Sequence, residues 1–161
     1  MNDARDNQAG GFDFLLGEWR VHHRRLKERL AGSSEWIEFA GRSIARPLIG
    51  GFGNVDENEI LLPNDAYVGV TIRLYDPVRR RWSIHWFDGR RPHEAPDPPL
   101  IGTFDGGVGT FYGDDRLGER PVRVRFLWTA DKPDACRWQQ AFSADSGATW
   151  ETNWIMDFAR I

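Results

Sequence analysis

Glycine and proline recur at short, even intervals along this chain, and the stretches between them alternate apolar and polar residues with a period of two. Seventeen glycines and nine prolines supply that punctuation. Val, Ile, Thr, Phe, Tyr and Trp fill the segments between, which is the signature of strands rather than helices. Strands are expected near 18–29, 34–45, 48–55, 67–75, 80–87, 99–104, 108–113, 121–129, 135–143 and 149–159. The connections are too short for crossover helices, so neighbouring strands run antiparallel as a meander. Closing that meander on itself removes the exposed edges it would otherwise leave. The fold class is therefore all-β: a single closed antiparallel up-and-down barrel of about ten strands.

One segment carries a second pattern. Trp19, His22, His23, Leu26 and Leu30 also fit a helical stripe, but a Gly-x-Trp opens the segment and Gly32-Ser33-Ser34 closes it as a hairpin turn, which favours a strand. Other turns have their own chemistry. In Asp76-Pro77 the proline presets φ for a turn, and Asp105-Gly106-Gly107 supplies residues that tolerate positive φ and so joins a hairpin. Two irregular stretches stand out. Residues 89–99 hold Pro92, Pro96, Pro98 and Pro99, a stiff loop with few free donors that suits a barrel rim. Residues 47–63, with Gly50, Gly51 and Gly53, read as a bulged strand followed by a flexible lid. The cavity mouth is expected beside these two stretches.

A chain of 161 residues fits one domain with a full core. Residues 1–11 read as an extended or disordered tail and residues 12–161 as the barrel. The net charge of −3 argues against a nucleic-acid partner. The one basic stretch, 20–29, is interleaved with apolar residues and is either a solvated strand face or an anion-binding surface. No apolar run approaches the roughly 20 residues needed to cross a bilayer, so no membrane partner is expected. Residues 1–10 lack the apolar segment of a signal peptide, and Cys136 is the only cysteine. A reducing, cytoplasmic location is the expectation, with Cys136 as a buried, inert thiol. A homodimer is left open.

Ser143-x-Asp145-x-Gly147-x-Thr149-Trp150 matches an Asp-box, a motif familiar from sialidase-type propellers. A propeller needs repeated boxes on several blades, so here the motif reads as a hairpin turn with Asp145 accepting backbone N–H bonds. Metal chemistry has little support. His22 and His23 point to opposite faces of a strand, His93 sits in the proline-rich loop, and His85 lies opposite Trp82, Ile84 and Trp86. No nucleophile elbow or phosphate-cradling loop is present, so no catalytic residue is assigned. Neither a cofactor nor a metal is expected.

Phe12-Asp13-Phe14-Leu15-Leu16-Gly17-Glu18-Trp19 at one end and Phe158-x-Arg160 at the other resemble the signature of lipocalin-like (calycin) barrels. With Leu74-Tyr75-Asp76-Pro77, Trp82-x-x-x-Trp86 and the Asp-box, the chain resembles a bacterial family of unknown function assigned to that fold. The resemblance implies a lipocalin- or fatty-acid-binding-protein-like barrel in which Arg160 caps the Trp19 indole and closes the floor. That contact is worth about 1 kcal/mol when partly desolvated. It implies no activity.

Eight tryptophans, several at even spacing on strands, suit a cavity for a flat apolar or aromatic molecule. The residues expected to line it are Glu38, Asn54, Arg73, Trp86, Tyr112, Arg125, Gln140 and Asn153. Arg125 is expected to point inward and to meet a carboxylate such as Glu38 or an anionic ligand group. The function expected is small-molecule binding in the barrel. The alternatives are an isomerase or hydrolase acting in the same cavity and a haem-binding, nitrobindin-like protein.

Overall fold

The computed structural model of the chain describes residues 8–161. Ten strands form one closed antiparallel barrel in sequence order. They are β1 (Gly17–Leu26), β2 (Trp36–Leu48), β3 (Gly53–Ile60), β4 (Tyr67–Asp76), β5 (Arg81–Asp88), β6 (Leu100–Asp105), β7 (Val108–Leu117), β8 (Arg120–Lys132), β9 (Ala135–Ser143) and β10 (Glu151–Arg160). The ring closes where β1 pairs with β10, with Trp19 directly opposite Arg160. Among the described residues no helix is long and apolar enough to cross a membrane.

Alternation settles the two readings of the first segment. Trp19, Val21 and His23 are buried while Arg20 and His22 are exposed, the period-two pattern of a strand. β1 ends at Leu26, and the turn expected at 32–34 is part of a wider loop over 27–35 whose ends are joined by Lys27 N–H donating to the Glu35 carbonyl.

One end of the barrel is a sealed floor. A short 3-10 turn, Asp13–Leu15, tucks Phe12 inside, where its ring meets Trp82 at 5.1 Å, Phe104 at 4.8 Å and Phe111 at 5.5 Å. The Trp19 indole donates to the Leu15 carbonyl, and the Arg160 guanidinium lies 4.1 Å from the Trp19 ring centre. Arg160 also donates to the carbonyls of Phe14, Leu16 and Pro133 and so ties the first turn to the last strand. Gly17 (φ 119°) has to be glycine: a Cβ there would sit 2.6 Å from an Arg160 nitrogen. Of the segment expected to be a tail, residues 1–7 lie outside the described residues. Gln8 instead belongs to the floor, because its side-chain amide exchanges hydrogen bonds with the Phe104 backbone and its carbonyl accepts from Trp82.

The stretch 47–63 differs most from expectation. β2 runs on to Leu48, Ile49–Gly51 make a tight turn at the floor, and residues 53–60 form one regular strand, where a bulged strand over 48–55 and then a lid were expected. Only residues 61–63 of that stretch reach the open end, in the loop 61–66 between β3 and β4. The loop 89–99 does lie at the open end. β6 pairs with β5 only from Trp82 to Ile84, so above Ile84 the wall parts and this loop fills the gap.

Candidate ligand cavity

Two adjacent strands reverse the usual patterning. β4 turns Thr71 and Arg73 inward and leaves Val68 exposed and Val70 and Ile72 half-buried on its outer side. β3 likewise turns Asn54, Asp56 and Asn58 into the barrel, all less than 5% exposed. Burying so many polar groups costs free energy unless they are paired, and departures of this kind cluster at functional sites. Here they are mostly paired. One Arg73 nitrogen donates to Asp56 at 2.5 Å and to Asn54 Oδ1 at 2.9 Å, and the Ser43 hydroxyl donates to the other Asp56 oxygen at 3.2 Å. The Arg73 guanidinium also lies 5.2 Å from the Phe12 ring centre and 5.4 Å from that of Trp128, so it rests on the aromatic floor.

Above that floor is a cavity of about 270 Å³. Its wall carries four indoles, Trp86, Trp128, Trp138 and Trp154, with Phe126, Phe142 and Phe158 between them. Trp86 crosses the inner face of β4 at Gly69, where any Cβ would collide with the indole ring. The polar wall is Asp56, Asn58, Thr71, Arg73 and Gln140. Three of the lining residues keep a buried polar atom with no protein partner: Asn58 Oδ1, Arg73 Nε and Trp128 Nε1. The mouth is ringed by Arg25, Arg29, Tyr67, Arg90, Arg91, Asp97, Asp114 and Asp115.

Of the residues expected to line a cavity, Arg73, Trp86 and Gln140 do so. Asn54 and Asn153 are buried one layer behind, bonded to Arg73 and to Gln140 respectively. The other three face outward, and strand parity gives the reason. β8 presents Val122, Val124 and Trp128 to the interior, so Arg125 is outside and stacks over Trp150 at 4.7 Å. β7 presents Phe111 inward, which turns Tyr112 out against the same indole at 5.9 Å. β2 presents Phe39 and Ser43, leaving Glu38 exposed and bonded to His22. Arg125 and Glu38 therefore do not meet. The buried guanidinium–carboxylate pair expected of them is instead made by Arg73 and Asp56.

Titration follows burial. His23, fully buried on the inner face of β1, is pushed down to about 4, mainly by burial and then by neighbouring His22. Its Nδ1 accepts a hydrogen bond from the Trp154 indole, and its ring stacks on Phe39 at 4.7 Å. Burial pushes the Cys136 thiol up to about 12, in keeping with an inert core residue. Asp145 is pulled down to about 2, first by the Thr149 hydroxyl and then by the Thr149 N–H, and the Asp-box is a hairpin turn between β9 and β10. None of the four histidines lines the cavity, and the described residues contain no cluster of three metal-ligating side chains.

No protein-family model matches this chain, and no curated protein matches it. Among solved structures, the S-type phycobiliprotein lyase CPES from Guillardia theta is similar over 93% of this chain and 90% of its own, with a TM-score of 0.63 and 13% sequence identity. A likeness at that identity establishes a shared fold alone: the chain and that lyase have the same barrel architecture.

Proposed function

We propose that the protein binds a small, flat, largely apolar or aromatic molecule inside the barrel. The observation that carries this reading is the cavity of about 270 Å³, walled by four indoles above the aromatic floor. Its size lies just under the usual range for drug-sized ligands, and its make-up, mostly aromatic with a few placed polar groups, is that of a binding site. The unpartnered atoms of Asn58, Arg73 and Trp128 add to it, since buried polar groups are normally satisfied and a ligand's polar point would satisfy them. The structural neighbour is by name a phycobiliprotein lyase, which fits a barrel that holds a small molecule. The motif resemblance to a bacterial lipocalin-like family of unknown function belongs with the same reading.

Binding is favoured over catalysis in this cavity. Asp56, the buried carboxylate on the polar wall, is engaged by Arg73 and Ser43 in the barrel's own hydrogen bonds. A haem protein is disfavoured because no histidine or cysteine lines the cavity. With its single buried, unpaired cysteine the protein suits a reducing, cytoplasmic setting. The test is a neutral aromatic probe, N-phenylnaphthylamine, with excitation of the wall tryptophans. Saturable energy transfer at one site per chain is the expected result, and its absence would sink the reading.

A further inference from the structure

The cavity mouth holds two arginines that make no ion pair with any carboxylate of the described residues. Arg25, on the last inward turn of β1, places its guanidinium 4.8 Å from the ring centre of Trp154, and Arg29, in the loop that follows, lies 5.7 Å from that of Phe142. Both rings belong to the cavity wall, and both arginines line the mouth. Among the described residues neither makes an ion pair with a carboxylate, whereas Arg90 and Arg91 across the mouth are paired with Asp65, Asp88 and Glu94. Both are half-buried, so water only partly compensates their charge. Of the acidic side chains at the same mouth, Asp97 and Asp114 belong to exposed residues, Asp114 also has Arg123 at 3.8 Å, and Asp115 is half-buried. Asp115 and Glu151 bear on Arg29, and Asp65 on Arg25, through space without an ion-pair contact. Deeper inside, Arg73 is paired with Asp56, so the cavity's arginines without an ion pair are the two at the rim.

Resting on the binding reading above, we infer that the ligand is an amphipathic organic anion: an aromatic body lies among the indoles, and an acidic group is received at the mouth by Arg25 and Arg29. A guanidinium stacked on an indole face still presents its N–H edge, and that edge matches the paired oxygens of a carboxylate or sulfonate. The arginines thus act twice, covering the aromatic wall with their planes and holding the acid with their edges. Arg73 has a different part, since its remaining N–H, with the Trp128 indole, offers a neutral acceptor such as a carbonyl a place at the other end.

The test compares two probes that share an aryl-naphthyl body, anilinonaphthalene sulfonate and the neutral N-phenylnaphthylamine, by energy transfer from the wall tryptophans. The wild-type protein should bind the sulfonate at least about tenfold more tightly, with the preference falling as salt rises. Arg25→Gln/Arg29→Gln should lose that preference and keep the neutral probe. Arg20→Gln, on the exposed outer side of β1, should keep both. Equal binding of the two probes by the wild type overturns the anion inference and leaves the apolar cavity standing, whereas binding of neither probe overturns the cavity reading itself. A double variant that keeps the sulfonate preference, or that loses both probes, shows that these arginines do not select for charge.

Discussion

His23 is fully buried and accepts its hydrogen bond from Trp154 through Nδ1, so its proton sits on Nε2. That nitrogen has no partner and packs against Gly41, where a Cβ would lie 2.5 Å away. Protonating the ring would break the indole bond and leave a charge among Phe39 and Trp154. The effect on stability has a definite sign. In the unfolded chain the imidazole takes up a proton near its ordinary 6.5, while in the folded barrel it resists until about 4. The stability supplied by a neutral His23 is therefore complete above the first value and is lost as pH falls towards the second. The loss is about 3 kcal/mol in all. Denaturant unfolding of the wild type should show this slope over that window, and His23→Gln should flatten it. Equal slopes in the two proteins would mean that other groups set the acid sensitivity.

At the scale of strands, β3 decides how much of this molecule is legible in its sequence. Most strands announce themselves, because β1, β5, β8 and β10 put aromatic or branched residues inward and charged ones outward. The floor is legible too, since Gly17, Trp19 and Arg160 are fixed by a local collision and a stack that only those residues satisfy. β3 carries polar side chains on both faces, Asn54, Asp56 and Asn58 inward and Glu57 and Glu59 outward, so periodicity carries a strand only to residue 55 and reads the rest as a lid. The rest of the strand was hidden because its inner face serves the cavity rather than the core. Arg125 alternates with Val122, Val124 and Trp128, so its outward placing is legible on β8 alone, whereas that of Glu38 and Tyr112 has a different origin. Parity within each strand was readable, but which parity faces inward depends on ring closure, which no single strand records. The same reversed strand makes a sharp prediction. Asp56→Ala leaves the Arg73 cation buried without its counter-charge and should cost about 3–5 kcal/mol in denaturant unfolding. Asp56→Leu combined with Arg73→Met removes both charges and should cost much less. If the single and double variants are equally destabilised, the pair is not what makes the charges tolerable.

Across the whole molecule, stability and function are separated along the barrel axis. The floor half is packed with Phe12, Trp19, Trp82, Phe104, Phe111 and Trp128 and is bound by the Arg160 and Gln8 hydrogen bonds. The mouth half keeps a cavity, a parted seam above Ile84 and a loop, 91–99, whose residues are all exposed. Segments with few buried contacts open at lower free energy than cores do, so exchange of backbone amides should be fastest around the seam and slowest in β1, β8 and β10 near the floor. A ligand that binds only the folded barrel raises global stability by mass action, by about 2.7 kcal/mol at a free concentration a hundred times its Kd. Its local effect should be uneven. Hydrogen exchange with and without anilinonaphthalene sulfonate is expected to show strong added protection in residues 85–99 and in the 27–35 loop that carries Arg29. The floor amides should slow only by the common global amount. Protection spread evenly over both halves would place the probe somewhere other than the mouth. Protection confined to the outer cluster of Tyr112, Arg125 and Trp150 would move the binding site to the barrel's exterior.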